Sequence, residues 1–145
     1  MSTESFFDIR VTRRFSVNPG VVFDAWLDPE NVGKWLFATP SGKIVRVEID
    51  ARVGGTYDIV DRRDGEDVAH TGEYIEIDRP RRLVFTFSVK KYSNDAARVT
   101  IDIVPLETGC ELTLTQTMRT EMAEYADRTK KGWADILEGL ARTVE

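Results

Sequence analysis

The sequence has one cysteine and one histidine in 145 residues. Cys110 therefore has no disulfide partner within the chain. The same scarcity argues against a zinc site, because only carboxylates are left to complete one. No metal and no cofactor are expected. No stretch approaches the roughly 18 apolar residues of a membrane-spanning helix. The opening Met1-Ser2-Thr3-Glu4-Ser5-Phe6-Phe7-Asp8 lacks the apolar run of a secretory signal. The expected setting is the cytoplasm. Positive charge is also in deficit: 20 Lys and Arg against 25 Asp and Glu give a net charge of −5. Basic residues gather only in the short groups Arg62-Arg63, Arg79 to Arg82 and Lys90-Lys91, which read as turns. The electrostatic footprint of a nucleic-acid binder is missing. Repeats, low-complexity segments and linkers are absent too, so one domain over residues 1–145 is expected.

What is present is alternation. Phe7, Ile9, Val11, Phe15 and Val17 face one way from Phe6 to Val17, the pattern of a half-buried strand. Arg13 falls on the apolar side. It is either turned out by a bulge or directed inward, where it needs a partner. Asn18-Pro19 reads as a capped helix start, and Asp28-Pro29-Glu30 repeats the signal, giving a two-helix elbow ending near Trp35. Six more strands follow. They are Lys43 to Ile49 (Val45, Val47 and Ile49 inward), the run after Gly54-Gly55 to Arg62, Val68 to Ile77, Leu83 to Val89, the segment around Val99 to Ile103, and Glu111 to Thr117. Gly54-Gly55 suggests a bulge or a close backbone approach. Asp64-Gly65 suits a tight hairpin turn, and Lys91 to Ala96 reads as a polar loop. Such short connections imply an antiparallel sheet.

Met118 to Val144 is the one long segment with helical periodicity. Met122, Tyr125, Ala126, Thr129, Trp133, Ile136, Leu137, Leu140 and Val144 recur at spacings of three and four. A lone amphipathic helix must bury its stripe against another element, and here only the sheet is available. The expected fold is thus α+β: a curved antiparallel sheet of about seven strands, an elbow after the first, and a long C-terminal helix packed across it. The first half of that helix is expected near the elbow, beside a cavity mouth, with Trp133, Ile136 and Leu140 sealing the core.

This order resembles the START-like helix-grip superfamily, and more narrowly the branch named after the activator of the heat-shock-protein-90 ATPase. The resemblance is carried by Pro19, by Val22-Phe23-Asp24-Ala25-Trp26-Leu27-Asp28-Pro29-Glu30 and by Trp35. It continues through Asp50-Ala51-Arg52-Val53-Gly54-Gly55-Thr56-Tyr57 and the run from Gly72 to Thr86. Gly109 to Gln116, Gly132-Trp133, Leu137 and Leu140 complete it. Gln116 stands where such proteins often carry His, and Cys110 where Thr commonly follows Gly. The resemblance implies a helix-grip fold with a site between sheet and helix. The superfamily's roles include lipid carriage, hormone reception and polyketide cyclisation, and the branch name implies a chaperone partner.

Polar groups on inward faces mark a pocket, since a dry core rejects them. Arg13 and Gln116 are such groups. The resemblance makes their strands neighbours, so the two could meet and offer an anchor for a carboxylate or carbonyl. The competing reading is an internal ion pair for Arg13. Trp35, Tyr57, Phe85, Phe87, Met118, Tyr125 and Trp133 are the candidate apolar lining, against plain core packing for each. His70 is expected exposed at a strand end; a general base would need a pocket position. Glu107 and Glu111 disfavour a thiolate at Cys110. The expected function is binding of a small hydrophobic or lipid-like molecule. The alternatives are a cyclase- or hydrolase-like enzyme using Arg13, His70 or a pocket Tyr, and a chaperone-regulating interaction module. A homodimer is also among the expected partners.

Overall fold

Asn18 accepts a hydrogen bond from the Val21 amide at 3.1 Å through its side chain and so opens the first helix, with Pro19 in its first turn. This is where the chain leaves its first strand. The computed structural model describes residues 5–37, 42–89 and 97–145. The elements are β1 (Phe6–Phe15), α1 (Pro19–Ala25), a 3-10 turn (Val32–Lys34), β2 (Lys43–Ile49), β3 (Thr56–Arg63), β4 (Glu66–Asp78), β5 (Arg82–Val89), β6 (Ala97–Pro105), β7 (Cys110–Arg119), a second 3-10 segment (Thr120–Tyr125) and α2 (Ala126–Val144).

The strands form one antiparallel seven-stranded sheet in the order β1-β7-β6-β5-β4-β3-β2. The hairpins follow the turn chemistry of the sequence. Asp64 (φ 51°) and Gly65 (φ 79°) supply the two left-handed residues between β3 and β4. Gly55 sits in the close approach expected of the glycine pair: a Cβ there would lie 2.1 Å from the Asp50 carbonyl oxygen. The core joins the inner faces of Leu83 and Phe85, of Val99, Ile101 and Ile103, and of Leu112 and Leu114. Val22, Phe23 and Trp26 close it from α1, and Trp133, Leu137 and Leu140 from α2.

Four expectations need correction. Val45 is exposed rather than inward, because a bulge between Ile44 and Arg46 turns Ile44 to the core in its place, while Val47 and Ile49 face inward as expected. The elbow's second member is one 3-10 turn, not an α-helix. The long helix begins at Ala126, since Met118 still belongs to β7 and a 3-10 segment intervenes. Its first half also lies away from the elbow. It is the C-terminal half that meets the elbow, where a Cβ on Gly139 would lie 3.3 Å from Trp35 Cβ. The connectivity imposes this. The helix leaves the end of β7 that pairs with Phe6 and runs back toward Ser16, whose amide donates to Glu145 at 3.1 Å. The expected Lys91 to Ala96 loop lies outside the described residues.

Candidate functional site

The β1–β7 register runs unbroken from Phe6↔Arg119 to Phe15↔Cys110, so no bulge rotates Arg13 outward. Arg13 nevertheless lines neither of the two large cavities beside α2. Its Nε donates to Glu138 at 2.8 Å, and Nη1 stands 3.7 Å from Glu145. Both carboxylates belong to the C-terminal part of the chain. The pair holds the guanidinium above its ordinary pKa, chiefly through the Glu138 hydrogen bond, and holds Glu138 below its own. Arg13 pairs opposite Leu112, whereas Gln116 pairs opposite Ile9. The two expected anchors do not meet, because they lie four residues apart along the ladder. Arg13 pins helix to sheet.

Two open cavities flank the inner face beside α2. The first, of about 880 Å³, is lined among others by Trp35, Phe37, His70, Phe87, Gln116 and Trp133. The second, of about 820 Å³, lies between the ends of β5, β6 and β7 and the 3-10 segment. Phe6, Met118, Met122 and Tyr125 contribute its apolar wall. Phe87, Gln116 and Thr129 line both. Each volume falls within the range of small-molecule sites. Tyr57 and Phe85 line neither. They border a small void of about 10 Å³ under Trp26, and the Tyr57 hydroxyl donates to the Thr86 carbonyl at 2.8 Å. Burial drives the Tyr57 phenol well above its ordinary pKa, so it stays neutral.

The first cavity is built on a cluster of rings. Phe37 stacks on His70 (4.4 Å, 7° between planes) and on Phe87 (5.0 Å, 15°), while Trp133 meets both phenylalanines edge-on. Phe37 has a left-handed backbone, φ 61°. That conformation costs a residue with a Cβ roughly 1–2 kcal/mol, and it places the ring in the stack. Trp35 meets Trp26 edge to face at 4.7 Å.

His70 is buried (4% exposed), not exposed as the sequence suggested. The strand extends past it to Glu66, and Ile59 of β3 is its ladder partner. Nδ1 lies 3.2 Å from the Ile59 carbonyl oxygen. Burial lowers the imidazole's pKa first of all; the Ile59 carbonyl, Asp61 and the Val68 backbone oppose this, and Arg63 adds to the lowering. The ring is therefore neutral at neutral pH. With Nδ1–H donated to Ile59, Nε2 is the unprotonated nitrogen of the neutral ring. The signal that could have found His70 is its alternation with Val68 and Tyr74 on the inward face of β4. Phe37 carried no such signal, since it lies in no regular element.

Gln116 is likewise buried (7% exposed). Trp133 Nε1 donates to its Oε1 at 2.6 Å. The charged lining is largely paired. Glu138 holds Arg13, Asp135 accepts from Lys131 at 3.1 Å, and Arg63 donates to the fully buried Asp61 at 2.6 Å. Lys34 and Arg142 make no ion pair among the described residues. Among those residues there is also no group of three or more His, Cys, Asp and Glu able to hold a metal. No helix there is long and apolar enough to cross a membrane. Cys110 is buried, and its thiol is raised by burial and then by Glu145.

Known proteins share this architecture. The model of the family described as activator of Hsp90 ATPase homolog 1-like protein matches residues 16–145. No curated protein matches the chain. A crystallographically solved protein of Chromobacterium violaceum is 31% identical, over 95% of this chain and 96% of that one, with a TM-score of 0.84. A protein of unknown function from Staphylococcus aureus shares the fold at 16% identity, covering 97% and 94% of the two chains, TM-score 0.86. A protein of Aeromonas hydrophila described as AHSA1-like shares it at 21% identity over 95% and 92%, TM-score 0.82. Sheet order, the crossing helix and the family match agree: the chain belongs to the activator of Hsp90 ATPase homolog 1-like family, a helix-grip branch of the START-like proteins.

Proposed function

We propose that this protein binds a small, mainly apolar molecule between the sheet and α2. The observation that carries the reading is the stacked Phe37, His70 and Phe87 cluster bordering a cavity of about 880 Å³. A dry core would close such a space, because unfilled volume forfeits dispersion contacts. The ligand's apolar body rests on the rings and on Trp133, while Gln116 and His70 offer the few placed polar contacts typical of such sites. Met118 and Tyr125 serve the second cavity and Trp35 the first; Tyr57 and Phe85 support from below. Native mass spectrometry of freshly purified protein tests this, with a co-purified small molecule as the expected result. Repeated absence, together with no thermal shift across a lipid and metabolite panel, overturns it.

A second reading rests on His70 alone. A neutral imidazole anchored through Nδ1 at the wall of a cleft is arranged as a proton acceptor. It would draw a proton from carbon beside a carbonyl and return it, with no other reactant. Deuterium exchange into a bound ketone, lost in His70→Gln, is the expected result; equal exchange in both proteins excludes it.

A further inference from the structure

Trp133 Nε1–H can only donate, so it fixes which end of the Gln116 amide it meets: the oxygen. The Nε2 amino group is then turned from Trp133, and among the described residues it meets no acceptor. The side chain lines open space on both sides, so this amino group is a donor available to whatever fills that space. Gln116 is also one of the three residues lining both cavities, Phe87 and Thr129 being the others. Phe87 has no polar side-chain atom. Thr129 has committed its hydroxyl hydrogen to the Tyr125 carbonyl, at 2.9 Å. Gln116 thus brings the one uncommitted side-chain donor of the three to the junction of two largely apolar spaces.

We infer that the two cavities accept a single elongated ligand with a hydrogen-bond acceptor near its middle. Its central oxygen receives the Gln116 amino group, one apolar arm lies on the Phe37, Phe87 and Trp133 rings, and the other runs between Met118, Met122 and Tyr125. A molecule polar only at one end leaves the Gln116 donor unmet when both arms are buried. A molecule with a central donor and no acceptor meets the wrong end of the amide. Trp133 acts as a positioning residue, because it holds the amide in the orientation that donates. This inference rests on the ligand-binding reading above and adds the position and polarity of the ligand's polar group.

The test uses two isomeric ketones of equal apolar content, 6-undecanone and 2-undecanone, titrated into the full chain and followed by tryptophan fluorescence and ligand-observed NMR. The wild type is expected to bind the central ketone about fivefold to tenfold more tightly, the net worth of one hydrogen bond. Gln116→Met keeps the side-chain length, removes the donor and is expected to bind the isomers equally. Trp133→Phe leaves the amide free to turn and is expected to narrow the preference. Gln116→Asn, which keeps an amide but shortens it, guards against a fold defect, with thermal midpoints measured for all variants. Equal binding of both ketones by the wild type, or a preference that survives in Gln116→Met, overturns the inference and leaves the ligand-binding reading standing. Failure of both isomers to bind overturns it as well, and the broader reading is then decided by whether a molecule co-purifies.

Discussion

Trp133 of the C-terminal helix donates its indole hydrogen to Gln116 of the last strand at 2.6 Å, inside the space that separates helix from sheet. The bond joins the two elements whose separation creates the cleft. It makes Trp133 both a structural and a positioning residue. Trp133→Ala removes a large buried side chain and is expected to cost about 3–5 kcal/mol, measured by urea denaturation. Tyr125→Ala, at a residue 39% exposed on the second cavity, is expected to change stability by no more than about 0.5 kcal/mol while weakening ligand binding.

His70 makes stability depend on pH in a defined direction. Its folded pKa is lowered by burial, so between that value and the unfolded value of about 6.5 the unfolded chain binds more protons. Stability is then complete above about pH 6.5 and falls as the pH drops toward the folded pKa. Urea midpoints at a series of pH values are expected to show this fall, and His70→Gln is expected to flatten it. As the chain has a single histidine, its ring protons give one NMR titration, with the midpoint expected below the ordinary value.

Arg13→Met tests the placement of this side chain away from the cleft. It removes the ion pairs with Glu138 and Glu145. The expected outcome is a modest fall in melting temperature, smaller in high salt because both partners are partly solvated. Affinity for any ligand of the cleft is expected to stay unchanged. A selective loss of binding with unaltered melting would return Arg13 to the site.

Gly72 is where β3, β4 and β5 approach too closely for a side chain. A Cβ there would stand 1.8 Å from the Thr86 carbonyl oxygen and 2.7 Å from the Tyr57 hydroxyl that bonds to it. Gly72→Ala is expected to destabilise the protein by at least the roughly 1–3 kcal/mol of an overpacked core. Chemical denaturation, with near-ultraviolet circular dichroism on the tyrosine and tryptophan bands, measures it.

The strands, the elbow and the crossing helix were legible because each is written in short-range terms. Period-two alternation carries β5, β6 and β7, the cap at Asn18 and the turn in which Asp28 accepts from the Glu30 amide place the elbow, and Asp64-Gly65 sets a hairpin. The inward face of Gln116 and the apolar stripe through Trp133 were legible for the same reason. Val45 was misread because a bulge adds one residue to a ladder without any residue type that demands it. His70 was misread because its burial depends on how far β4 runs and on Phe37, a residue brought over it from another part of the chain.

By itself, then, the sequence determined the strands, their order and most of the inward faces, all set by local sterics and by the periodicity of apolar residues. Tertiary structure alone decided which inward polar groups share a space. Arg13 and Gln116 lie on one face yet part company, since the helix brings Glu138 to the first and Trp133 to the second. His70 joins Phe37 and Phe87 across three separate segments. Such meetings depend on the path of the helix and the register of seven strands, and no local pattern encodes either.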